Sequence, residues 1–279
     1  MILGHYSVNT LRVDMARMSS SELERNTIVY KYPDGSVDMI ITSGRGFMPP
    51  GWEEVGAEPP RGAKRQKGKK SEGEDMKRSA RRAAAKLRRL ALANDFEYFV
   101  TLTFDPEKVD SFDPAAVGKA LNRWTDNMVR RHGLRYVLVP ELHQSGRIHL
   151  HGFFAGKGLK VVDSGHVDGC GHPVYNLPQW GYGFSTAIRL YGNYHAAVGY
   201  CTKYITKTED QRIMGRWYYS GGALREPERD MLDAEYRKAV DTYFPMGPLE
   251  AGKKWPGYLG EIPGAKILNI RLEGSKNDD

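Results

Sequence analysis

Residues 141–154 read ELHQSGRIHLHGFF. His149 and His151 stand two apart in a short apolar run, and Glu141 precedes the first of them by eight residues. Residues two apart in a strand share a face, so both imidazoles point one way while Ile148 and Leu150 point the other. A three-residue turn at Gln144-Ser145-Gly146, with glycine in the left-handed position, pairs His143 with Arg147 and sets Glu141 opposite His149. A two-residue turn at Ser145-Gly146 pairs Glu141 with Leu150 and takes the carboxylate to the wrong face. Two imidazoles and one carboxylate on one face make a three-ligand divalent site with open coordination positions. An HxH pair by itself reads first as hydrogen-bonded polar residues on a half-exposed strand. The correctly phased glutamate turns the reading toward a metal.

A second constellation lies in GYCTKYITK. Tyr200, Lys203 and Tyr204 fall at i, i+3 and i+4 and so project from one side of a helix, a stripe that Lys207 extends by a turn. Such tyrosines are ordinarily core or interface residues. Beside a metal they could instead attack a phosphodiester and form a phosphotyrosine. A free phenol, with a pKa near 10, is a weak nucleophile at neutral pH. It needs an electrophile polarised by a metal and a nearby ammonium, which Lys203 could supply.

These groups must be positioned by an antiparallel α+β framework. DMKRSARRAAAKLRRLALAND predicts a basic amphipathic helix ending near Asn94, with Leu87, Leu90 and Ala91 as its apolar stripe. FEYFVTLTFDP predicts a strand stopped by Pro106. Asp113 and Pro114 cap and open a helix that ends at Gly133. RYVLVPELH and RIHLHGFF predict a hairpin, WGYGFSTAIRL a further strand, and GNYHAAVGYCTKYITKTED a helix. The order strand, helix, hairpin, strand, helix points to an antiparallel sheet rather than a doubly wound fold. Upstream, TIVYKYPDGSVDMIIT predicts a hairpin around Pro33-Asp34-Gly35. The expected organisation is a small β-rich element over 1–60, a basic flexible linker over 61–75, a catalytic domain over 76–225, and a C-terminal extension over 226–279 with a disordered tail.

The net charge of +7 is uneven: 61–92 holds thirteen Lys/Arg and three Asp/Glu, a net +10, so the remainder sums to −3. This fits either a solvated basic face or a phosphate-binding arm carried by Arg78, Arg81, Arg82, Arg88 and Arg89, with Lys207 beside the tyrosines. Two cysteines in 279 residues make no disulfide framework, and no signal peptide or bilayer-length apolar run is evident. An intracellular, cytoplasmic setting without membrane partners is expected.

FVTLTF, then ELH with HLH, then YCTKYITK together resemble the rolling-circle replication initiators of the HUH endonuclease superfamily, whose name denotes two histidines around one bulky apolar residue. The glutamate and histidine spacing resembles that of geminivirus initiators. GYCTKYITK is more similar to the two-tyrosine helix of initiators from small single-stranded DNA phages. The resemblance spans residues 76–225, fits loosely at WGYGFSTAIRL, and keeps the initiator order, with tyrosines after histidines. It implies a central sheet of about five antiparallel strands with the tyrosine helix packed across the metal. It implies Mg²⁺ or Mn²⁺ held by Glu141, His149 and His151, and sequence-specific nicking of single-stranded or hairpin origin DNA. Tyr200 would be the first nucleophile, with Lys203 three residues on, and Tyr204 the second. The free 3′-OH would prime a host polymerase, and without a GxxxxGK[ST] motif a host helicase must unwind.

Other signals are weaker. His166, Cys170 and His172 suggest a zinc knuckle but lack a fourth ligand, which favours a plain surface loop. His143 is expected to be exposed. Trp217, Tyr218 and Tyr219 could stack on bases, although such clusters are more often packing. The rival readings are a transposase of the same superfamily acting on element ends, and a zinc-stabilised DNA-binding protein without nicking activity.

Overall fold

The computed structural model describes residues 27–42, 72–190, 194–207, 211–231 and 267–272. Most of the expected linker and the expected C-terminal tail lie outside the described residues. The chain divides into two units, one built on strands from both ends and the other spanning Lys70–Glu226.

In the first unit, β1 (Thr27–Lys31) and β2 (Val37–Thr42) form the expected hairpin, with Gly35 at φ +76° in its turn. Their outer neighbours come from the far end of the chain: β10 (Glu228–Met231) pairs with β1 and β11 (Ile267–Leu272) with β2. The sheet order is β10-β1-β2-β11. Tyr32 donates its hydroxyl to the buried Asp38 carboxylate at 2.7 Å.

The second unit is α+β around a single antiparallel sheet. Its strands are β3 (Tyr98–Leu102), β4 (Arg135–Leu142), β5 (Ile148–Ala155), β6 (Val162–Val167), β7 (Pro173–Asn176), β8 (Ser185–Arg189) and β9 (Tyr219–Gly221). They lie in the order β6-β7-β8-β3-β5-β4-β9, which sets β5 between β3 and β4. The sheet therefore has seven strands, not about five. β6 and β7 account for two of them, in a segment that reads as an irregular Gly/His stretch. Asp168 closes that hairpin by accepting from the backbone N–H groups of Cys170 and His172, both at 2.8 Å.

Three described helices cover the sheet. Helix α1 (Glu72–Leu92) stops where the buried Asn94 side chain donates to the Leu90 carbonyl. Helix α2 (Pro114–His132) is capped as expected: the Asp113 side chain accepts from Ala115 N–H, and Gly133 adopts φ +62° and closes onto Met128 and Val129. Its buried Val117, Leu121, Trp124 and Met128 pack on the sheet face that carries Leu150 and Phe154. Helix α3 (Tyr194–Lys207) contacts the opposite face, which carries His151 and Phe153. Residue parity along β5 thus sends even positions to an apolar core and odd positions toward α3. None of the described helices is long and apolar enough to cross a membrane.

Gly152 lets β5 pass close to β4. A Cβ there would sit 1.8 Å from the Val137 carbonyl oxygen and 2.9 Å from Leu138 Cα, both backbone. Gly152→Ala is expected to cost at least about 3 kcal/mol, the upper end of overpacking penalties, because backbone cannot swing aside as a side chain can. Urea unfolding of the two proteins measures it; an unchanged midpoint would refute the close approach.

Candidate active site

The β4/β5 hairpin has the register that a three-residue turn demands. His143 N–H donates to Arg147 O at 2.9 Å, Gly146 takes φ +82°, and Glu141 lies opposite His149. Ile148 and Leu150 are buried on the other face. The carboxylate and both imidazoles therefore share a side of the sheet.

His151 is the anchored member, only 8% exposed. Its Nε2 lies 2.8 Å from Glu141 Oε2, and its Nδ1 lies 3.1 Å from the Thr101 hydroxyl on the adjoining strand. Thr101 is directly opposite His151 in the β3/β5 ladder. Its hydroxyl can donate or accept, so it orients the ring in either tautomer, the role an outer partner plays for a ligating histidine. His149 is less enclosed and stacks on the exposed His143 ring at 4.8 Å; its centroid is 6.4 Å from that of His151.

The second carboxylate oxygen of Glu141 accepts a hydrogen bond from the Lys207 ammonium, at the last turn of α3. Burial works to raise the Glu141 pKa, but the hydrogen bonds and charges of Lys207 and His151 outweigh it and hold the carboxyl below its ordinary range. Burial pushes both histidines down, reinforced at His149 by His143 and Arg147 and opposed at His151 by Glu141. Both imidazoles are thus neutral near pH 7, with a lone pair available for a metal.

Helix α3 brings the tyrosines to this cluster. Val198, Cys201 and Ile205 are buried, so the intervening positions face the sheet edge and solvent. The Tyr204 ring lies flat on His151, with centroids 4.3 Å apart and planes within 4°. Its hydroxyl donates to the Tyr200 hydroxyl at 2.9 Å. Burial, then this bond, raises the Tyr204 pKa and keeps it protonated as a donor. Tyr200 is 51% exposed and rests edge-on against Phe99. The Lys203 ammonium is 5.9 Å from the centre of the Tyr200 ring.

The remaining basic residues are placed unevenly. Arg81 and Arg82 are exposed on α1; Arg78, Arg88 and Arg89 are half-buried, Arg78 within 3.9 Å of Asp75. Trp217 and Tyr219 are buried, with their polar atoms bonded to Ser79 and the Met214 carbonyl, and so pack rather than offer a free ring face. Among the described residues, the His/Cys/Asp/Glu group whose ligand atoms all lie within 4.8 Å is Asp168, Cys170 and His172, on the β6/β7 turn. The same Asp168 hydrogen bonds that close the turn account for this proximity. Glu141, His149 and His151 are not so tightly gathered.

Residues 97–209 match the family model of the replication-associated protein ORF2. The match groups this segment with rolling-circle replication initiators. No curated protein and no solved structure matches the chain. The initiator match contains Thr101, Glu141, both histidines and both tyrosines, and so takes in the whole cluster. Thr101 and the Lys207–Glu141 pair are absent from the motif-based reading. Phasing FVTLTF against HLHGFF could have found Thr101, because opposed strand residues share a face.

Proposed function

We propose that the protein is a metal-dependent endonuclease and strand transferase that nicks single-stranded or extruded hairpin origin DNA to start rolling-circle replication. The observation that carries this reading is the flat stacking of Tyr204 on His151, with its hydroxyl donated to Tyr200. The tyrosine pair thereby lies against the imidazole and carboxylate cluster.

Glu141, His149 and His151 fit a divalent ion. Their imidazoles are neutral, the carboxylate is buried, and one ammonium, Lys207, is already drawn to it. Bound Mg²⁺ or Mn²⁺ would polarise the scissile phosphate and offset the charge that builds in the transition state, and two imidazoles suit manganese at least as well.

Tyr200, the exposed member of the pair, is the nucleophile. Its phenolic oxygen bonds to phosphorus as the bond from phosphorus to the 3′ oxygen breaks. The 3′ oxygen leaves with the electron pair and takes up a proton, while the phenol proton passes to solvent. Tyr204 stabilises the charge growing on the Tyr200 oxygen by donating to it, and the Lys203 ammonium favours that charge. The products are a 5′-phosphotyrosine and a 3′-OH that a host polymerase extends behind a host helicase. Because the phosphotyrosine ester keeps the energy of the broken bond, rejoining needs no ATP. Tyr204 then serves as the second nucleophile on the regenerated origin.

Incubation with a randomised single-stranded oligonucleotide library and Mn²⁺ is expected to give a protein–DNA adduct that survives denaturation. Chelation with EDTA should abolish it. No adduct in Mn²⁺ or Mg²⁺, or equal yield after chelation, would refute the reading.

A further inference from the structure

Beside His149 the sheet opens into a cleft of about 480 Å³, within the size range of small-molecule sites. One wall is Phe184, which is 84% exposed. A phenylalanine so open to water at the mouth of a cleft calls for an occupant. Phe184 is held there by its backbone: its carbonyl accepts from both the N–H and the hydroxyl of Thr103. The preceding Gly183 permits this, since a Cβ there would lie 2.4 Å from the Thr103 carbonyl oxygen. Thr186 and His151 both pair with Thr101, so they share its face, and Phe184, two residues before Thr186, projects from that same face.

A second observation points into the same cleft. Ser111 lines it, is 2% exposed, and its hydroxyl has no hydrogen-bond partner. A buried hydroxyl left unpaired costs free energy, which a polar ligand edge would recover. The rim carries opposite charges. Asp105 and Glu107 lie on one loop, and Arg147, which packs over Phe112 at 5.6 Å, completes the lining. Two carboxylates repel a phosphate but accept hydrogen bonds from an amino group. Arg147 suits the phosphate that must lie outside.

Resting on the nicking reading above, we propose that this cleft seats one nucleobase of the single-stranded DNA, next to the scissile phosphate. Phe184 stacks on the face of the base. Ser111, Asp105 and Glu107 meet its edge, and Arg147 holds the neighbouring phosphate. Carboxylates at the edge select an exocyclic amine, so the site takes cytosine, adenine or guanine and rejects thymine. The cleft is thereby a specificity determinant for one position of the origin.

Two measurements on the full chain test this, and they separate the cleft from the chemistry. The first is anisotropy of labelled dA, dC and dT homopolymers in EDTA, where no nicking occurs. The wild type should bind dA and dC at least threefold more tightly than dT. Phe184→Ala should weaken dA and dC binding about tenfold, within the range for one lost base–aromatic stack. Glu107→Gln should erase the preference. Equal binding of all three homopolymers, unmoved by Phe184→Ala, would overturn the proposal whether or not the protein nicks DNA. The second is sequencing of the DNA captured covalently from the randomised library. Wild type should exclude thymine at one position flanking the cut, and Glu107→Gln should relax that position alone. Adducts with identical sequence profiles in both proteins would overturn the cleft while leaving nicking intact. A wild type without adducts refutes nicking, and the homopolymer measurement then decides the cleft.

Discussion

Tyr200→Phe is expected to lower covalent capture of single-stranded DNA at least a thousandfold, because it removes the exposed phenol beside the histidine cluster. Tyr204→Phe should behave differently. Tyr204 is packed face to face on His151, and its hydroxyl points at Tyr200. Burial and that bond raise its pKa, so at neutral pH it donates a hydrogen bond rather than attacking. Losing one hydrogen bond to a charged oxygen costs about 1.5–3 kcal/mol, which is roughly a 10- to 100-fold slower first cut. Rate-resolved adduct formation on denaturing gels distinguishes the two variants. A Tyr204→Phe protein that forms no adduct, beside a Tyr200→Phe protein that forms it normally, would reverse the assignment. The same pair of variants tests strand transfer: Tyr204→Phe should still capture DNA but fail to release a closed product after a second encounter.

The contrast between these tyrosines was only partly legible in sequence. Helical spacing is enough to put both on one side of α3, since i and i+4 always fall together. Which of them stacks on a histidine depends on how far the helix slides along the sheet. That is set by the burial of Val198, Cys201 and Ile205, whose apolar character does not encode a register. The β4/β5 hairpin was legible in detail because a period of two makes its register all-or-none: one residue of slip buries Glu141 on the wrong face. The α2 helix was legible from local chemistry, with Asp113, Pro114 and Gly133 acting within a few residues of where they stand. Strands β10 and β11 were not, because backbone pairing across most of the chain is carried by generic N–H and C=O groups. The β6/β7 hairpin was hidden by its glycines and histidines, and the Asp168 side chain, bonded to two backbone N–H groups, closes it. Phe184 and Ser111 carry no motif at all. Their interest lies in one being exposed and the other buried without a partner, and no sequence pattern states either.

Glu141→Ala is expected to abolish metal-dependent adduct formation, by at least a thousandfold, and the reason separates it from a simple loss of packing. The carboxylate holds His151 through Nε2 and Lys207 through its other oxygen. Its removal would leave His151 held by Thr101 alone and release Lys207 from the sheet toward solvent. Glu141→Gln preserves size and one acceptor but not charge, so it should melt near the wild-type temperature and still lose Mn²⁺ binding, as calorimetry would record. Lys207 makes the converse prediction. Its ammonium occupies the carboxylate that a divalent ion needs, so the two cations compete for Glu141. Lys207→Met should therefore tighten Mn²⁺ binding about tenfold, the equivalent of roughly 1.4 kcal/mol of competition removed. Mn²⁺ affinity unchanged by both Glu141→Gln and Lys207→Met would exclude Glu141 as a ligand. The lysine can act both ways without contradiction. In the absence of an ion it neutralises a buried carboxylate that would otherwise be costly to leave unpaired. When the ion arrives the side chain, more than half exposed, can swing outward to meet the phosphate of the incoming strand.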